Sequence, residues 1–76
     1  MPQNVGVPST LDRQFGKFLR RARGDQTYAA FSRKTGLPPS TLFRLEQAQQ
    51  SATLGRIALV MKRLKVRLKD IFPSDY

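Results

Sequence analysis

The stretch TYAAFSRKTGLPPSTLFRLE, residues 27–46, decides how this chain is read. Its spacing predicts two short helices joined by a tight turn. The first runs from about Tyr28 to Thr35. Thr27 precedes it as a cap, because its hydroxyl oxygen accepts from a backbone N–H of the first turn. Phe31 is its apolar anchor. Gly36 falls just past the helix end, where a left-handed backbone is wanted and glycine adopts it at least cost. The turn is Gly36-Leu37-Pro38. The second helix starts at Pro39, whose missing N–H would be unpaired in a first turn anyway, and runs to about Gln47. Leu42 and Leu45 lie three apart and share an inward face. Ser40, Thr41 and Arg44 are expected on the outward side.

Two helices about a turn, the second with an outward polar face, is the layout of a helix-turn-helix, whose second helix enters the major groove of DNA. The composition points the same way. Lys plus Arg is 14 against 5 acids, a net charge of +9, and such a field attracts polyanions. The chain holds no cysteine and no histidine. Disulfides, thiol chemistry, zinc fingers and imidazole catalysis are excluded together, and neither a metal nor a cofactor is expected. Asp12, Asp25, Glu46, Asp70 and Asp75 are scattered, with no pair at the helical spacing of an acid–base couple. Ser32 and Lys34 lie too close together on one helix to serve as nucleophile and base. An enzyme is therefore not expected. The longest apolar run, Ile57 to Met61, is far from the ~20 residues of a membrane span. The N-terminus lacks a signal-peptide pattern. A cytoplasmic protein without a membrane partner is expected.

Outward from the central stretch, 76 residues allow one small domain, which buries only ~60% of its unfolded surface. Residues 1–8 carry two prolines and no charge and are expected to be an extended arm. The domain spans residues 9–73, and residues 74–76 are a tail. Ser9 or Thr10 opens the first helix, with Asp12 near the positive end of its dipole. Leu11, Phe15, Phe18, Leu19 and Ala22 follow at helical spacing. Arg20, Arg21 and Arg23 gather at its negative end. Thr53 caps a fourth helix from about Leu54 to Lys65. Its expected core stripe is Leu54, Ile57, Ala58, Val60, Met61 and Leu64, with Leu59 alone on the far face. Residues 64–69 alternate with the period of a strand. The preferred reading is a turn at Val66-Arg67 and a short fifth helix ended by Pro73, with a C-terminal strand pairing two subunits as the alternative.

Several of these residues, taken in order, resemble the Cro/repressor-like helix-turn-helix family of the xenobiotic-response-element type. They are Phe15-Gly16, Leu19 to Arg23, Thr27, Phe31-Ser32, Gly36-Leu37, Ser40-Thr41-Leu42, Arg44-Leu45-Glu46, Leu54, Ile57, Leu64, Val66 and Ile71-Phe72. The resemblance covers about Phe15 to Phe72. It implies an all-α, compact five-helix bundle, a lambda-repressor-like domain that binds double-stranded operator DNA as a homodimer. It also implies a regulator of transcription, a repressor that can act on its own gene. The family's pairing of a helix 1 arginine with the glutamate closing the recognition helix implies an ion pair to Glu46. The Leu-Arg-x-x-Arg pattern selects Arg23; a gap-free count selects Arg21.

Three positions depart from the family pattern. Tyr28 replaces a phosphate-holding glutamine, though a phenol can still donate. Pro38 replaces a capping Ser or Thr. Ala48 replaces a glycine after Glu46, so the helix is expected to end without a free left-handed residue.

The expected DNA-contacting set is Thr27, Tyr28, Pro39, Ser40, Thr41, Phe43, Arg44, Gln47 and Gln49. Arg44 can grip guanine O6 and N7 bidentately, or hold a phosphate. Ser40 and Thr41 offer short hydroxyls, the Thr41 methyl suits thymine, and Pro39 makes only an apolar contact. Phe43 can meet a thymine methyl, a sister subunit or its own domain. In the loop at residues 47–52, side-chain amides and backbone N–H groups can bond phosphate oxygens.

The competing class is a protein-binding module of the antitoxin kind, which neutralises a toxin or other partner while binding operator DNA. Single-strand RNA readers display aromatics on a sheet, whereas Phe15, Phe18, Phe31 and Phe72 are expected to be buried. A basic amphipathic helix on a membrane is the remaining reading of residues 56–72, and its stripe is better explained as core.

Overall fold

The computed structural model of the chain describes residues 9–73. The expected arm at residues 1–8 and tail at residues 74–76 lie outside the described residues. Five helices follow one another: α1 (Thr10–Arg23), α2 (Tyr28–Thr35), α3 (Pro39–Glu46), α4 (Leu54–Leu64) and α5 (Leu68–Ile71). No strand occurs among the described residues, and the alternating segment at 64–69 is instead a helix end, a turn and the start of the next helix. Its period is broken by Lys65, which takes a left-handed conformation at φ 57, ψ 46 and ends α4 one residue earlier than expected. The fifth helix forms beyond it, and the Asp70 carboxylate accepts from the Arg67 N–H at 2.8 Å.

Local chemistry sets most of the helix starts. Ser9 and Asp12 exchange backbone-to-side-chain bonds at 3.1 Å each, a capping box for α1. Thr27 accepts from the Ala30 N–H at 3.0 Å and Thr53 from the Arg56 N–H at 3.1 Å. The basic last turns of α1, α2 and α4 complement their dipoles.

The core takes residues from every element. Phe15, Phe18 and Leu19 come from α1, Phe31 from α2, Leu37 from the turn, Leu42 and Leu45 from α3, Val60 from α4 and Ile71 from α5. Their contacts join α1 to α3 and α5, and α2 to α3 and α4. Gly16 is what lets α1 and α3 meet. A Cβ there would stand 2.7 Å from the Leu45 carbonyl oxygen and 2.8 Å from that of Glu46.

The buried face of α4 differs from the expected stripe. Leu54 is 85% exposed and Ala58 is exposed, whereas Leu59 is half-buried against the core. The reason is α2, which α4 packs against. Leu59 Cδ2 comes within 3.3 Å of where a Gly36 Cβ would sit, so the helix is rotated toward the α2 end. Leu54 instead lies on the rim of an open apolar groove with Leu11, Phe15, Ile57, Leu68 and Phe72. The expected place of Leu59, alone on the far face, is thereby corrected.

Candidate nucleic-acid interface

The α2–α3 connection is fixed by side chains rather than by length alone. Gly36 is left-handed at φ 83, ψ 5, and its N–H returns to the Ser32 carbonyl at 2.8 Å. The buried Thr35 hydroxyl donates to the Phe31 carbonyl at 3.1 Å and accepts from the Leu37 N–H at 3.2 Å. The Ser32 hydroxyl donates to the Leu37 carbonyl. Leu37 is thus held by its backbone while its side chain enters the core, and α3 leaves the turn in a set direction.

At its start α3 has no side-chain cap, as the departure at Pro38 implies. The loss is small for a physical reason. Of the four N–H groups that a helix start leaves unpaired, Pro38 and Pro39 have none, so only those of Ser40 and Thr41 remain. At its end α3 closes with a pair of bonds. The Gln49 N–H reaches the Arg44 carbonyl at 2.9 Å and the Ala48 N–H that of Leu45 at 3.1 Å, the pattern of a Schellman cap. Ala48 sits at φ 55. A left-handed residue is therefore present despite the missing glycine, contrary to expectation, because the two bonds and the packed helix hold it there. The same bonds, with that of the Gln47 N–H to the Phe43 carbonyl at 3.0 Å, engage the backbone donors of residues 47–49. Over residues 47–49 phosphate would therefore have to be met by side chains such as Gln47 and Gln49, both exposed.

Behind α3 lies a cluster drawn from three helices. Arg23 grips Glu46 bidentately, Nε to Oε2 at 2.7 Å and Nη2 to Oε1 at 3.1 Å. Of the two arginines that the sequence left open, Arg23 is the partner. Its Nη1 also donates to the Gln26 carbonyl at 2.9 Å. The Glu46 side chain is 1% exposed. The hydrogen bond to Glu46 raises the Arg23 pKa above its ordinary value, so this charge is permanent. The guanidinium lies 4.1 Å from the centroid of the Tyr28 ring. The Tyr28 phenol donates to Glu46 Oε1 at 2.8 Å. Desolvation, reinforced by the Glu46 hydrogen bond and charge, raises its pKa. A phenol has one proton, and here it goes to Glu46. The single donor of Tyr28 is therefore engaged by the Glu46 carboxylate rather than left for the phosphate contact expected of it.

The outward side of α3 follows from helical geometry, in which residues three and four apart share a face. Pro39, Ser40, Phe43, Arg44 and Gln47 are exposed together. Thr41 is not. It is 4% exposed, so its expected place on the outward side of α3 is corrected to the buried side. It stands four residues before Leu45 and shares that buried face. Phe43 is 45% exposed and sets its ring edge-to-face on Tyr28, with centroids 5.9 Å apart. It packs on its own domain and still offers ring surface outward. Thr27 is exposed, with its hydroxyl oxygen engaged as the α2 cap and its hydroxyl proton left for another acceptor.

One contact on this surface escaped the sequence reading. Arg44 Nε donates to Gln50 Oε1 at 2.7 Å. The two are six positions apart and no helical period joins them; only the chain reversal at Ala48 brings them together.

No helix among the described residues is long and apolar enough to cross a membrane. In comparisons with known proteins, no family model matches the chain, and no curated protein and no solved structure matches it.

Proposed function

We propose that this chain is a DNA-binding regulator of transcription. In this reading α2 and α3 act as a helix-turn-helix. The outward side of α3 enters the major groove and reads base edges, while exposed cations hold phosphates and release counterions. The protein is a cytoplasmic binding protein without catalytic function. As in the family it resembles, two copies meet on a two-fold site, and the protein represses, its own gene included.

The observation that carries this reading is the two-sidedness of α3. Leu42 and Leu45 are 0% and 1% exposed, whereas Ser40, Phe43, Arg44 and Gln47 face away from the core on one contiguous strip. The net charge of +9 supplies the long-range attraction.

The test is a salt-dependent gel shift with a duplex pool, set against RNA and anionic liposomes. Duplex DNA should bind in preference, with affinity falling steeply as salt rises. Arg44→Ala should cost ~1–3 kcal/mol on a selected site and flatten the preference at one base. Equal binding to RNA or liposomes would end the proposal. Equal losses on selected and random duplex would make Arg44 a phosphate contact.

A further inference from the structure

We infer that Gln50 is a specificity-determining residue, which acts by presenting one edge of Arg44 to a guanine. The inference rests on the DNA-binding reading of α3 above.

A guanidinium has two edges for bidentate contact, Nε with Nη2 and Nη1 with Nη2, and it accepts no hydrogen bond. Gln50 Oε1 takes Nε at 2.7 Å. The first edge is thereby occupied. The second keeps two parallel N–H donors, the pair that matches O6 and N7 of guanine. The orientation of the Gln50 amide follows from the same fact. Only its oxygen can face arginine, so its NH2 group points elsewhere and remains free to donate to a phosphate or a neighbouring base.

The contact is not a chance meeting of two long side chains. Gln49 N–H is bonded to the Arg44 carbonyl and Ala48 N–H to that of Leu45. These bonds, with Ala48 left-handed at φ 55, fold the chain back over the last turn of α3. Gln50 is the next residue and is half-buried, so its reach toward Arg44 is set by backbone already fixed. Arg44 itself is exposed and would otherwise sample many rotamers before binding. Holding one of them in advance lowers the ordering cost of recognition.

The experiment selects bound sites from a randomised duplex pool with the wild-type chain, Gln50→Leu, Gln50→Glu and Arg44→Ala, and records a melting curve for each. The wild type should prefer guanine at one position, and Arg44→Ala should remove that preference. Gln50→Leu, which keeps bulk but loses the acceptor, should lower it roughly 2- to 10-fold with an unchanged melting temperature. Gln50→Glu keeps the acceptor and should restore the guanine preference, while its charge weakens binding to every duplex.

A guanine preference in Gln50→Leu equal to that of wild type overturns the inference. So does an equal loss on all sequences, which would make Gln50 a phosphate contact, or a wild-type preference for another base where Arg44 acts. A wild-type chain that retains no duplex fails at the first step, and there the DNA-binding reading falls together with this inference.

Discussion

Replacing Gly16 with alanine tests the contact on which the placement of α3 depends. Gly16 lies inside α1, where alanine is ordinarily the better residue by about 0.5–1 kcal/mol. Helix propensity alone therefore predicts stabilisation. The geometry predicts the reverse. The new methyl would stand 2.7 Å from the Leu45 carbonyl oxygen and 2.8 Å from that of Glu46. Carbon–oxygen contacts are comfortable only from about 3.3 Å, so α1 and the end of α3 must part by roughly 0.6 Å. Both obstacles are backbone atoms of a packed helix, and neither can rotate aside as a side chain could. Forcing such a shift costs about 1–3 kcal/mol. Against the propensity gain of about 0.5–1 kcal/mol, the net loss is about 0–2.5 kcal/mol and about 1 kcal/mol at mid-range, or ~4–8 °C in melting temperature for a domain of this size.

Thermal melting followed by circular dichroism measures this directly, with Gly55→Ala as its control. Gly55 is also helical, yet the nearest atom to its added methyl is Thr53 Oγ1 at 3.9 Å. That substitution should raise stability by up to ~1 kcal/mol. Opposite signs at the two glycines are the expected result. A Gly16→Ala protein melting at or above the wild type would refute the close approach of α1 and α3.

Further outcomes follow from three residues at the end and the back of α3. Ala48→Gly should stabilise by roughly 0.5–1 kcal/mol, since the native residue is held at φ 55; a lower melting temperature would argue against the left-handed cap. Glu46→Gln should lower the melting temperature, because Arg23 keeps its charge beside an amide that cannot balance it; an unchanged curve would count against the pair. Tyr28 should ionise above the usual value near pH 10 in a spectrophotometric titration. Its neutral form is the one the fold favours, so its contribution is full below pH ~10 and lost as pH rises through the raised value. Tyr28→Phe should cost on the order of 1 kcal/mol at neutral pH, the low end for a bond to a charged acceptor because the phenol is half-exposed. A protein that melts alike at pH 8 and pH 11 would remove the linkage.

What the sequence disclosed and what it hid divide along a physical line. Helix starts and stops are settled by a few adjacent atoms, so Thr27, Gly36, Pro39 and Thr53 announced them. The bounds of α2 match the expected ones residue for residue. Which face of a helix is buried depends on neighbours that the sequence does not name. In α3 the buried face is broader than Leu42 and Leu45 alone and takes in Thr41, four residues before Leu45, and in α4 the position of α2 exchanged Leu54 for Leu59. Ala48 shows the opposite limit. Residue preference argued against a left-handed backbone there, and two hydrogen bonds and a packed helix overrode it. The Arg23–Glu46 pair was legible only through family resemblance, and the third member, Tyr28, was not. A phenol beside a carboxylate is a relation between two helices, invisible to any spacing rule. Gly16 is the sharpest case. In sequence it is a weak residue in a helix; in space it is the absence of a side chain that α3 requires. The readable part of this chain is what each residue does to its own backbone, and the hidden part is what it permits another segment to do.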